Sequence, residues 1–221
     1  MIFQVSDDTD FLVDTCQNHN RTPIAAALES VAIPAERWQL PAMARGLLRG
    51  YDARWRDAHR NIEILEIEKT YQAPLINPAS SRLSRTFSLA GKLDKIVREN
   101  GLVFYDHKTT SYDISDPNGD YWGQLQIDGQ AKFYEILLRS NGIALDRIVW
   151  DVIRKPGIKP KKLTKAALSE VVLRETYCGF AVSPITIVQV KHTPEENAEL
   201  YEDRVARESI DKPDRYFQRQ P

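Results

Sequence analysis

The feature that most constrains this fold is a hairpin near the middle of the chain. Thr86 to Glu99 alternates well enough to form a strand, Asn100-Gly101 is a strong turn signal, and Leu102 to Thr109 reads as the return strand. Residues directly opposite each other in an antiparallel pair share one face, so loop length decides which side chains meet. A two-residue Asn100-Gly101 loop sets Asp94 against His107. A three-residue loop, Glu99-Asn100-Gly101, sets Asp94 against Asp106, given a type I turn with Gly101 left-handed as a G1 bulge. Lys108 then shares a face with Asp106 at i and i+2.

Two carboxylates and a lysine are the residue types that metal-dependent phosphodiester hydrolysis requires. A divalent cation polarises the phosphate, neutralises developing charge and helps acidify a water. Hard cations such as Mg²⁺ prefer carboxylate oxygens and retain several waters. Asp94 and Asp106 offer two ligands and the His107 backbone carbonyl a third, with Lys108 beside them to orient water or stabilise charge. His107 itself sits at the position expected to point away from Asp106 and Lys108. Taken alone, an Asp-x-Lys on a strand is usually a solvated face with a surface ion pair.

The downstream sequence adds context. After a polar loop from Ser111 to Asp120, a helix is expected over Tyr121 to Ser140, stopped by Asn141-Gly142. On it Gln130 and Tyr134 lie one turn apart on the same face. Gly91-x-x-Asp94, Asp106-x-Lys108 and Gln130-x-x-x-Tyr134, in this order, resemble the PD-(D/E)XK nuclease superfamily and its RecB-like exonuclease branch, which includes phage and CRISPR-associated relatives. Each piece alone is common, whereas all three with the intervening turn and helix are fairly specific. The resemblance covers roughly Asn61 to Arg154.

It implies an α/β restriction-endonuclease-like core, a central mixed β-sheet flanked by helices. It further implies Asp94 and Asp106 as ligands of Mg²⁺ or Mn²⁺, Lys108 as the catalytic lysine, and Gln130 and Tyr134 as DNA-contacting or site-organising residues. The implied activity is a DNA nuclease, with an exonuclease in recombination, repair or phage DNA processing preferred, and a helicase or recombination protein as partner. The alternative is a non-catalytic DNA-binding or assembly module with the nuclease fold; an RNA-directed nuclease is weaker still. Many RecB-like members carry a metal-binding histidine after an Arg-Gly pair, where Arg45-Gly46-Leu47-Leu48-Arg49-Gly50 offers Gly50 and His59 lies farther along. Some hold an iron-sulfur cluster on four thiolates. With only Cys16 and Cys178 here, such a cluster within one chain is excluded, and both cysteines are expected to be small buried apolar residues.

A single nuclease-like domain is expected: a helical part over 1–60, a catalytic core over 61–154 and a C-terminal part over 155–221. Relatives often continue beyond such a segment, so a truncated C-terminus is part of that expectation. Composition supports a substantial core, with 42% apolar and 28% charged residues. No membrane partner is expected, and a start without basic and apolar signal regions points to the cytoplasm. Net charge is only −1, so nucleic-acid affinity must come from a local patch. Arg154, Lys155, Lys159, Lys161, Lys162 and Lys165 form the candidate, equally readable as a solvated loop.

Elsewhere the sequence reads as scaffold. Helices are expected over about Phe11 to Asn18, Pro23 to Val31 and Pro41 to His59, the last with Ala42, Leu47, Leu48, Tyr51 and Trp55 as its core stripe. Asn61 to Leu75 reads as a strand whose Glu63, Glu66 and Glu68 are structural, Glu68 being the first choice for a third carboxylate. Asp113, Asp116 and Asp120 fit a turn and helix cap better than a calcium loop, and His19, His59 and His192 are too scattered for a zinc motif. Thr193-Pro194-Glu195-Glu196 reads as a helix entry, and Asp211 to Phe217 as an extended segment in which Tyr216 and Phe217 pack on the core.

Overall fold

A computed structural model describes residues 38–221. The helices expected over Phe11 to Asn18 and Pro23 to Val31, with Cys16 and His19, lie outside the described residues. Helix α1 (Gln39–His59) tolerates Pro41 in its first turn, where backbone donors have no intrahelical partner. Its buried stripe is Ala42, Gly46, Leu47 and Gly50, whereas Leu48, Tyr51 and Trp55 are only half-buried.

The described chain divides into two compact units. One comprises residues 54–155 and 213–221, and the other 38–53 and 156–212. The first is built on strands β1 (Glu63–Ile76), β2 (Leu83–Arg98), β3 (Leu102–Thr110) and β4 (Arg147–Arg154). They form a five-stranded sheet in the order β1-β2-β3-β4-β7, where β7 is Phe217–Gln220. The first three strands are antiparallel, β4 runs parallel to β3, and β7 closes the edge antiparallel to β4. The α/β class and mixed central sheet are therefore present.

Between β3 and β4 the chain makes the helical crossover that a parallel pair needs. The single helix expected there is two: α2 (Asp120–Gln126) and α3 (Gly129–Ser140). The break has a local cause, since Asp128 is extended and its carboxylate caps the Gln130 N–H. Helix α3 ends at Asn141-Gly142 as expected. Gly142 adopts φ 79°, the Ile143 N–H reaches the Leu138 carbonyl, and the Gly142 N–H reaches that of Arg139, a Schellman ending. Phe104, Leu93, Ile96, Tyr71 and Ala73 from the sheet pack with Leu137 and Leu138 of α3 as the core on one face. Val97, Val103, Tyr105 and Val149 form the core on the other.

The second unit carries α4 (Lys165–Arg174), the short hairpin β5 (Thr176–Tyr177) and β6 (Phe180–Ala181), α5 (Pro184–His192) and α6 (Ala198–Asp211) around Val171, Tyr177, Ile187, Val190 and Leu200. Helix α6 starts later than Thr193-Pro194 suggests. Its cap is Asn197, which accepts the Leu200 N–H, because Glu196 is spent on Tyr177, Arg204 and the Lys161 amide. Arg45 and Arg49 of the Arg-Gly pairs bind Glu202 and Asp203, so these arginines serve helix packing. Cys178 is a free, half-buried thiol whose burial raises its pKa. The final segment begins with the single turn α7 (Pro213–Tyr216) before β7, and both Tyr216 and Phe217 are buried. Among the described residues, no helix is long and apolar enough to cross a membrane.

Candidate active site

The site forms where the β2–β3 ladder ends and one residue of β1, Glu68, steps out of the β1–β2 ladder. The β2–β3 ladder runs from Arg98 opposite Leu102 to Lys95 opposite Tyr105, which is the register of a three-residue loop. The turn itself differs from a type I turn with one left-handed glycine: Asn100 (φ 51°) and Gly101 (φ 127°) both take positive φ. Asn tolerates this conformation, and Asp146 closes over Gly101, where a Cβ would lie 2.6 Å from Oδ2.

In this register the next pair is Asp94 and Asp106, and there the ladder stops. Asp94 Oδ2 instead accepts the His107 N–H at 2.8 Å. On the other edge, Ile67 pairs with Lys95 and Lys69 with Leu93, but the intervening Glu68 has φ 52° and leaves the ladder. Leu93 and Ile96 both reach the same core, so strict alternation slips between them. This irregularity presents the Asp94 carboxylate to the backbone of β3.

Asp106 is 3% exposed, and its Oδ2 lies 2.9 Å from Lys108 Nζ. The lysine also donates to Gln130 Oε1 at 2.7 Å, and Gln130 Nε2 donates to the Tyr134 hydroxyl at 2.9 Å. Residues from β3 and α3 thus form a continuous chain, Asp106, Lys108, Gln130 and Tyr134. Gly91 completes it from β2: a Cβ there would stand 2.9 Å from Tyr134 Cε1 and 3.0 Å from Leu137 Cδ2. The three sequence fragments therefore meet in one place.

Electrostatics at the site oppose two bare carboxylates. Burial raises the Asp94 pKa against the favourable His107 N–H, and the nearby Asp106 and Glu68 charges add to the rise. Burial also raises that of Asp106, opposed by Lys108. A bound cation would relieve this cost. The Asp106 Oδ2 atom is fully buried and is paired with the Lys108 ammonium at 2.9 Å. A strand residue sends its N–H and C=O to the same side, so the His107 carbonyl faces the gap left by β2. These groups suit a hard cation that keeps several waters.

Among the described residues, no three His, Cys, Asp or Glu side chains gather as a metal-binding group. The donor set is therefore two carboxylates and main chain. Glu68 contributes charge near Asp94, but its Oε2 lies 2.7 Å from Lys92 Nζ.

The His107 ring occupies the face away from Lys108, its Nδ1 3.5 Å from Asp151 Oδ2, and burial lowers its pKa. Asp151 is fully buried and pairs with Arg219 of β7 at 3.0 Å. Arg219 also lies 2.7 Å from His59 Nε2, which places that histidine with this buried group. Sequence reading missed Asp151 and Arg219, although a lone aspartate inside Ile148-Val149-Trp150-Asp151-Val152-Ile153 is a signal, since a buried charge demands a partner.

The lysine-rich segment is divided. The Lys155 N–H bonds the Thr110 carbonyl within the unit that holds the site. Lys159, Lys161 and Lys162 belong to the other unit, where the Lys159 carbonyl accepts from Arg204, the Lys161 backbone binds Glu196, and Lys162 lies 3.7 Å from Glu195. No family model and no curated protein matches the chain.

Proposed function

We propose that this protein is a metal-dependent deoxyribonuclease of the PD-(D/E)XK type, an exonuclease acting in DNA recombination, repair or phage DNA processing beside a helicase or recombination protein. The observation that carries this reading is the meeting of Gly91, Asp94, Asp106, Lys108, Gln130 and Tyr134, distant in sequence, around a break in the β2–β3 ladder.

Asp94, Asp106 and the His107 carbonyl would hold Mg²⁺ or Mn²⁺, with Glu68 available if released from Lys92. The cation, when bound, supplies a Lewis acid that polarises phosphate and helps acidify water. Lys108, oriented by Asp106 and Gln130, positions the attacking water and offsets charge developing on phosphate oxygens. Tyr134 fixes the Gln130 amide, so the lysine is held from the helix as well as the strand. Lys155, Lys159, Lys161 and Lys162 would contribute contacts to the DNA backbone.

The test is cleavage of end-labelled linear and closed circular DNA with Mg²⁺, Mn²⁺ or EDTA, comparing wild type with Asp106→Asn. Metal-dependent loss of linear DNA alone, abolished in the variant, supports an exonuclease; cut circles indicate an endonuclease. A second reading, a DNA-binding or assembly module without catalysis, draws on the lack of a third ligating side chain among the described residues. DNA binding without cleavage under any condition would select it.

A further inference from the structure

The β1–β2 hairpin extends well past its sheet. Strand β3 pairs with β2 only over Lys95–Arg98, so β2 from Leu83 to Leu93 has β1 as its sole ladder partner. Tyr71, Ala73 and Leu89 root this two-stranded arm in the α3 core. Beyond them, every residue from Pro74 to Ser88 except Ser84 is exposed.

Two features of the arm point to a ligand. The first is a large bulge. Pro74 pairs with Ser88 and Ile76 with Leu83, so Ser84 to Phe87 stand against Leu75 alone, with Ser84 Oγ accepting the Thr86 and Phe87 N–H groups. Bulges re-aim side chains, and here Phe87 is left 68% exposed. With Gln72, Pro74 and Arg85 it lines an open cleft of about 350 Å³.

The second feature is charge. From Lys69 to Leu93 the sequence has no Asp or Glu, although the chain has 31 acidic residues against 30 basic ones. Of the four cations in this stretch, Lys69 pairs with Glu66 and Lys92 with Glu68. Arg82 and Arg85 are exposed, and no carboxylate among the described residues pairs with either.

We infer that the arm is a second contact for a nucleic-acid strand, with Phe87 stacking on a base and Arg82 and Arg85 pairing with phosphates. An exposed aromatic flanked by unopposed guanidinium groups and hydroxyls is the equipment of single-strand binding, where stacking tolerates any base and cations track the backbone. Seven residues at about 3.3 Å each separate Phe87 from Asp94 along β2, a reach of roughly 23 Å. At about 3.4 Å per stacked nucleotide this corresponds to roughly seven nucleotides. The inference rests on the nuclease reading only in placing the strand's other end at Asp94 and Asp106.

The experiment is binding of a fluorescein-labelled 20-nucleotide single strand to the full chain in EDTA, across a salt series. Phe87→Ala should weaken binding about tenfold or more, and Phe87→Trp should restore it. The Arg82→Ala/Arg85→Ala double variant should flatten the log–log salt dependence by about 1.4, two phosphates at about 0.7 each. Unchanged affinity and salt slope in all variants would overturn the inference, as would a wild type that binds no strand. Conversion of a dimer to a monomer by Phe87→Ala, without an effect on DNA, would overturn it in favour of a second copy of the chain. Cleavage is read separately with Mg²⁺ and Asp106→Asn. Arm-dependent binding without cleavage refutes only the nuclease reading, and cleavage with arm-independent binding refutes only the arm.

Discussion

Lys108 is the residue on which the proposed chemistry depends most directly, and its two anchors come from different elements, Asp106 on β3 and Gln130 on α3. Lys108→Ala should retain DNA binding while cleavage falls by about 10²- to 10³-fold, the usual cost of losing one preorganised donor. Cleavage equal to wild type would remove this lysine from the mechanism. On the opposite face Tyr105 gives a prediction about stability. Burial raises its phenol pKa to about 12, and its hydroxyl donates to Glu99 Oε2 at 2.8 Å. A folded pKa above the ordinary 10.0 means that the stabilisation is complete below pH 10 and lost as pH rises towards 12. Melting curves from pH 9 to 12 should therefore fall more steeply for wild type than for Tyr105→Phe. At neutral pH the variant should lose about 1 kcal/mol, since Glu99 keeps Arg147 at 2.9 Å. Parallel pH profiles would show that this phenol does not titrate differently on folding.

At the scale of elements, Gly91 is where strand β2 meets helix α3. A methyl group there would lie 2.9 to 3.1 Å from Tyr134, Leu137 and Phe133, so Gly91→Ala should cost about 1–3 kcal/mol through overpacking. Because Tyr134 holds Gln130 and Gln130 holds Lys108, it should also lower cleavage more than Leu145→Ala, which perturbs the same core away from that chain. Equal losses would mean that Gly91 acts through stability alone. The ending of α3 at Asn141-Gly142 was legible, whereas the hairpin register was not fixed by sequence: Asn100-Gly101 allows a two- or a three-residue loop, and the observed three-residue register is the one that the proposed site required. The division of the expected helix was missed because apolar periodicity continues across Ile127, while Asp128 acts as a local cap. The slip in β2 at Asp94 was not legible either. It lies opposite the left-handed Glu68 of the neighbouring strand, and acidic residues in a strand carry no mark of such backbone geometry. Asp151 and Arg219 meet only through the pairing of β4 with β7, a partnership that local pattern does not specify.

For the molecule as a whole, a net charge of −1 gives no general attraction for polyanions, so ligand binding must act through particular groups. The carboxylate pair is one such group, and all of its residues lie in the unit formed by 54–155 and 213–221. A cation that binds only the folded site should stabilise by about 2.7 kcal/mol at one hundred times its Kd. For a chain of this size that corresponds to a Tm rise of roughly 5–10 °C. Mn²⁺ or Mg²⁺ should produce this rise at neutral pH, and Asp106→Asn should abolish it. The pH dependence follows from the raised pKa values of Asp94 and Asp106. The folded carboxyls hold protons more tightly than the unfolded ones, so the metal-free protein gains relative stability as pH falls through their folded pKa values. Protons then compete with the cation, and the metal-dependent rise in Tm should shrink towards acid pH. A rise that is constant with pH, or retained in Asp106→Asn, would place the cation elsewhere and leave Asp94 and Asp106 without a metal to hold.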